Sequence, residues 1–258
     1  ISEQPIRSFA IQYGAPHLAP ARWSENLIAR LARLLGGAAH SLIALELTGP
    51  EDRYGKAPAS LDPVFSALLR ERPKALQRLD LSRNAAVSGR VLSDFLKAVT
   101  APPAAGEATQ PSCQPLATPA HSHMAEQPHG LQPGHHQRQQ PCAPSEHPVG
   151  LRTLRLCGHS AGIDDWTLSH ELAQAAPQLT ELSLAHCDSL SAGAVAALVG
   201  SHCLRLASLD LSYLRLTRAA LRTCLAPEAL RRGLRSLALA GFTSLPADAF
   251  AEALCACE

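Results

Sequence analysis

The chain has 258 residues, 23 basic and 22 acidic side chains, 46% hydrophobic content and only 4% aromatics. It is long enough to bury a sizeable core, and its near-neutral balance gives no electrostatic case for nucleic acid or an anionic membrane surface. No run of 18 or more apolar residues and no charged-then-apolar leader occurs, so neither a membrane-spanning helix nor secretion is expected.

Leucine and alanine make up 87 of the 258 residues, and the leucines recur as L-x-x-L-x-L. In chain order, a degenerate copy reads Ile6, Phe9, Ile11. Ser24 then precedes Leu27, Ile28, Leu31, Leu34 and Leu35, a helical spacing that Gly36 and Gly37 are expected to stop. A strand copy follows at Leu42, Leu45, Leu47. Asp62 is read as an N-cap with Pro63 at the first helical position, before Phe65, Leu68 and Leu69. Leu76, Leu79 and Leu81 form the third copy, and Ser88 starts a helix ending near Val99. Four more copies begin at Leu151, Leu179, Leu206 and Leu234, at steps of 28, 27 and 28 residues. Helices are expected at Asp164–Ala175, after Ser191, after Thr217 and from the Leu245–Pro246 step.

Alternate residues of a strand share a face, so the leucines at the fourth and sixth positions point into a core and the residues between them point away. Each unit is then one strand plus one helix. Neither buries its apolar face alone, so neighbours must stack.

The best copy runs Leu179, Leu182, Leu184, Cys187, Leu190, Ser191, Gly193. On these residues the chain resembles the leucine-rich repeat family, in the long, helix-containing subtype of ribonuclease inhibitor and of the arrays of F-box proteins. Cys187 fills the subtype's ninth position and Asn84 the other variant's, whereas His159, Leu214 and Phe242 depart from it. The resemblance implies an α/β solenoid, a horseshoe with a parallel concave sheet and outer helices. It covers about three repeats in 1–100 and about four in 150–258.

Between them, 101–149 is a Pro/His/Gln-rich insertion. Residues 101–148 hold ten of the 20 prolines, six of the 12 histidines and no Phe, Trp or Tyr. Such a segment buries too little apolar area to offset its chain entropy, so disorder is expected. His121, His123, His135 and His136 with Cys113 and Cys142 suggest a metal site, but the proline spacing opposes a fixed geometry and no C-x-x-C is present. No metal and no cofactor is expected. The eight cysteines are read as buried thiols in a reducing compartment, cytoplasmic or nuclear. Cys255 and Cys257 are assigned to helical packing.

Gly158-His159-Ser160-Ala161-Gly162 fits the G-x-S-x-G nucleophile elbow of hydrolases. Its downstream histidines, His170, His186 and His202, lie close, and no H-G-G-G loop precedes it. The preceding strand is also in phase with three leucine repeats, so an ordinary strand-to-helix turn is expected, with no catalytic residues.

By register the concave face carries Glu46, Thr48, Arg78, Asp80, Ser82, Thr153, Arg155, Cys157, Glu181, Ser183, Ser208, Asp210, Ser212, Ser236 and Ala238, with His186 and Tyr213 at its rim. Glu46, Arg78, Asp80, Arg155, Glu181, His186, Asp210 and Tyr213 are the candidate partner-binding residues, with Arg155 and Tyr213 as anchors. Trp23 and Trp166 are read as packing residues of the outer layer. The expected function is non-catalytic protein binding, as a scaffold or subunit of a larger assembly. The alternatives are a substrate receptor of a cullin-type ubiquitin ligase and, remotely, a Ser160 hydrolase. The array begins in a strand-like copy and ends on the apolar stretch Pro246–Cys257 with no polar cap, so further chain at both ends and a self-associating species are expected.

Overall fold

The computed structural model describes residues 5–12, 24–49, 60–84, 86–100, 150–158 and 163–242. All of them belong to one unit, built from Ile1–Ala101 and Val149–Glu258. The expectations for 101–149, for residues 159–162 of the G-x-S-x-G motif, for Trp23 and for Pro246–Cys257 lie outside the described residues.

Every leucine copy becomes a strand: β1 (Ser8–Gln12), β2 (Ala44–Thr48), β3 (Arg78–Asp80), β4 (Thr153–Arg155), β5 (Glu181–Ser183), β6 (Ser208–Asp210) and β7 (Ser236–Ala238). They form one seven-stranded parallel sheet in sequence order. Its register aligns the fourth position of every copy: Phe9, Leu45, Leu79, Leu154, Leu182, Leu209 and Leu237 are successive partners. Fourth- and sixth-position leucines from Leu45 to Leu211 are 0–1% exposed, as the alternation of strand side chains requires. Ile6, Phe9, Ile11, Leu237 and Leu239 are partly buried against the same core.

Helices pack behind the sheet: α1 (Glu25–Ala38), α2 (Asp62–Glu71), α3 (Gly89–Thr100), a π-helical segment (Thr167–Leu172) running into the short α4 (Ala173–Ala175), then α5 (Ala192–Ser201), α6 (Arg218–Leu225) and α7 (Glu228–Gly233). The caps of α1, α5 and α6 are side-chain hydroxyls. Ser24, Ser191 and Thr217 accept from the N–H groups of Leu27, Ala194 and Ala220, each at 3.2 Å. Such bonds satisfy donors that a helix start leaves unpaired.

Three local expectations change. Gly36 and Gly37 do not stop α1; it runs to Ala38 and tightens into a 3₁₀ turn at Ala39–Ser41. Leu35 and Ala39 are fully buried on either side of the glycines, and that packing outweighs their poor helix propensity. Asp62 is not the cap of α2 but its first residue, with Leu61 at the cap. Its carboxylate instead accepts the N–H of Ser88, at 2.9 Å, at the start of the next helix. Asp165 does the same for Ser191, at 2.8 Å. Trp166 is no packing residue: it is 53% exposed, stacked on His170 at 4.9 Å beneath the Lys97 ammonium, 5.5 Å from the ring centroid.

The ninth position works as a bridge between repeats. Asn84 donates to the Leu47 carbonyl at 2.8 Å and accepts from the Ala86 N–H at 3.0 Å. The Cys187 thiol donates to the Leu156 carbonyl at 3.1 Å. Both acceptors are sixth-position carbonyls of the preceding repeat. Leu214 fills the same place with apolar volume and is buried.

Candidate binding face of the sheet

Positions three and five of each copy, and the residue after the strand at position seven, emerge opposite the buried leucines. Side chains of neighbouring copies are therefore about 5 Å apart across the sheet. The candidate charges lie side by side, and they pair. Arg78 reaches Glu46 at 3.6 Å. Arg155 lies between two strands, with Nε donating to Glu181 at 2.6 Å and a terminal nitrogen 3.8 Å from Asp80. Its guanidinium is held above its ordinary pKa, first by the Glu181 hydrogen bond, against a smaller desolvation effect. The mixed-sign stripe is thus largely neutralised from within, in pairs between half-exposed arginines and mostly buried carboxylates.

Asp210 differs. Its Oδ1 accepts the Ser212 N–H at 3.0 Å and its Oδ2 accepts the Ser183 hydroxyl at 3.2 Å. It has no cationic partner among the described residues.

The rim is set by backbone conformation. The eighth residue of five successive copies is left-handed: Arg83 (φ 59), Gly158 (φ 70), His186 (φ 58), Tyr213 (φ 60) and Gly241 (φ 77). Each of Arg83, Gly158, His186 and Tyr213 donates its N–H to the seventh-position carbonyl of the next copy, at 2.5, 2.7, 3.0 and 2.7 Å. That bond turns the chain off the sheet edge. Glycine is the default for such a turn, and a bulky residue there costs about 1–2 kcal/mol. The placement brings His186 and Tyr213 into a parallel stack, 4.0 Å between centroids and 13° between planes. Tyr213 is 49% exposed, and a Cβ added at Gly241 would collide with its ring.

All eight predicted site residues therefore lie on the side of the sheet opposite the buried leucines or at its rim. The structure joins Glu46 to Arg78, Asp80 to Arg155 to Glu181, and His186 to Tyr213, and leaves Asp210 without a charged partner among the described residues. Sequence reasoning missed Arg83 at the rim. The signal was there, since Gly158 and Gly241 occupy the same register as three non-glycine residues.

On the helical side, a cavity of about 520 Å³ lies between α3 and the π-helical segment, lined by Arg90, Asp94, Lys97, Asp164, Trp166 and Thr167 among others. Lys97 pairs at 2.9 Å with Glu171, which is 2% exposed and whose second oxygen has no hydrogen-bond partner among the described residues. Asp164 accepts from the Thr167 N–H and hydroxyl, both at 2.8 Å. These bonds, the backbone one first, hold its carboxyl below the usual range. Among the described residues no three His, Cys, Asp or Glu gather as metal ligands. No helix among them is long and apolar enough to cross a membrane. The Cys203 and Cys224 thiols are buried, and desolvation pushes both up to about 12.

No protein-family model matches the sequence, and no curated protein matches it. Among solved structures, a chain of the Rad7 and Elc1 complex of yeast is similar at 17% identity and a TM-score of 0.44. The match covers 81% of this chain and 46% of that one, so this chain spans about half its length.

Proposed function

We propose that this chain is a leucine-rich-repeat protein that binds a protein partner on the open, concave face of its sheet, as a scaffold or subunit of a larger assembly. One observation carries the reading. Seven in-register parallel strands present positions three, five and seven on the side opposite the buried leucines, a side that carries six charged residues and ends in a rim that holds exposed Arg, His and Tyr side chains in left-handed backbone. Stacked repeats provide such extended surfaces, and Tyr and Arg are the side chains that most often anchor protein contacts. The buried, protonated thiols of Cys203 and Cys224 suit a reducing compartment. The G-x-S-x-G motif gains no support from its strand, because β4 pairs with β3 and β5 in the common register.

The test is affinity purification of the full chain from cells, with mass spectrometry of what accompanies it, run in parallel on Arg155→Glu and on Arg90→Glu. Arg155→Glu alters the sheet face, and Arg90→Glu the helical side. A partner set lost only with Arg155→Glu supports the face. A set unchanged by Arg155→Glu removes it. Recovery of a cullin with its adaptor in the face-dependent set makes the chain a ligase substrate receptor; a fixed group of structural subunits makes it a scaffold.

A further inference from the structure

We propose that Asp210, with the His186–Tyr213 stack beside it, is a socket for an arginine side chain of the protein partner. The inference rests on the face reading above and names the chemistry that face selects.

Two aspartates of the sheet stand in equivalent places. Asp80 and Asp210 both occupy position five, and the Oδ1 of each accepts the N–H two residues on, from Ser82 at 2.9 Å and from Ser212 at 3.0 Å. Both carboxylates are therefore held in the same pose, leaning toward the turn that forms the rim. They differ in what the next strand places opposite. Asp80 is partnered in register by Arg155, whose guanidinium lies 3.8 Å from it and also bonds Glu181. Asp210 is partnered by Ala238. The protein thus shows, one site along, how a guanidinium sits against this carboxylate, and at Asp210 a methyl group stands where that side chain would rise.

The surroundings favour a planar cation. Each Asp210 oxygen accepts a single hydrogen bond, which leaves further acceptor sites on both. Ser212, whose N–H orients the carboxylate, immediately precedes Tyr213, so the exposed aromatic stack borders the same opening. Guanidinium groups pair with carboxylates through a rigid fork and stack on aromatic rings, and an ammonium does the first less well and the second less often. On the face itself Glu46, Asp80, Glu181 and Asp210 outnumber Arg78 and Arg155. The surplus is therefore acidic, and Asp210 is the member with no cationic partner among the described residues.

A display library of random linear peptides, panned against the full chain, tests this. The selected peptides should share an arginine, and replacing it with lysine or citrulline should weaken binding about tenfold or more. Asp210→Asn keeps the Ser212 bond and should weaken binding by the same order, with an unchanged melting temperature. Ala238→Arg fills the socket from within, as Arg155 does at Asp80, and should also abolish selection of these peptides. Arg90→Glu should have no effect. Peptides without a common arginine, or indifferent to Asp210→Asn yet lost with Arg155→Glu, overturn the socket and leave the binding face standing. Peptides indifferent to both variants, or no peptide retained at all, overturn both.

Discussion

The junction between β3 and β4 and that between β5 and β6 join neighbouring strands by connections of different length. The first pair of leucine copies starts 75 residues apart, at Leu76 and Leu151, and the second 27 apart, at Leu179 and Leu206. In the sheet the two are indistinguishable: Leu79 meets Leu154 as Leu182 meets Leu209. In the helix layer they diverge. Helices α5 and α6 bury Val195, Val199, Ala220 and Leu221, and they lie so close that a Cβ on Gly200 would stand 2.6 Å from the Thr223 carbonyl oxygen. Helix α3 meets the π-helical segment through an ion pair from half-exposed Lys97 to buried Glu171, with the exposed Trp166 ring beneath Lys97 and a cavity beside them. Strand register follows the local leucine pattern whatever the length of the connection, and loop closure costs only slowly more as a connection grows. Helix packing has no such repeat rule and records the particular residues at each junction.

If the sheet makes the junctions equivalent, Leu154→Ala and Leu209→Ala should each cost about 2–5 kcal/mol by chemical denaturation. A much smaller loss for Leu154→Ala would break the equivalence. In the helix layer, Gly200→Ala should cost about 1–3 kcal/mol by overpacking. Lys97→Met should cost a similar amount by leaving Glu171 buried without its cation, and Lys97→Met combined with Glu171→Leu should cost less than Lys97→Met alone. If the double variant is worse than the single, the ion pair is not what holds the first junction.

A smaller effect separates the junctions by pH. The folded pKa of Cys203 and Cys224 is raised to about 12 from an ordinary 9.0. Their contribution to stability is complete below pH 9 and is lost as pH rises toward 12. Both thiols should resist a thiol reagent at neutral pH until the chain unfolds; rapid labelling of either in the native state would contradict their burial. Asp164 works in the opposite sense at the other junction. Its carboxyl is depressed, so its contribution is present above the ordinary aspartate range and is lost as pH falls through the lower folded value. Asp164→Asn should flatten that acid limb slightly, read by amide exchange at Thr167.

Much of this was legible in the sequence. The L-x-x-L-x-L spacing placed all seven strands, and Ser24, Ser191 and Thr217 announced their helices. Cross-strand charge pairing followed from the same register, since Arg155 stands one copy from both Asp80 and Glu181. The left-handed rim was harder to read because three of its five residues are not glycine, and burial rather than propensity held Gly36 and Gly37 inside α1. The π-helical segment has no periodicity of its own, so the exposure of Trp166 and the burial of Glu171 had to come from packing.

The carboxylates of Asp62 and Asp165 also bear on how such a molecule can be re-engineered. Each holds the backbone of a residue 26 positions later, at the start of the following helix. The instruction for starting a helix is thus partly written in the preceding copy. A unit excised from strand to strand would leave its aspartate behind with nothing to hold and arrive elsewhere with an unheld N–H. Copies cut at the helix start, just before the aspartate, would keep acceptor and donor at opposite ends of one unit and could be joined in any number.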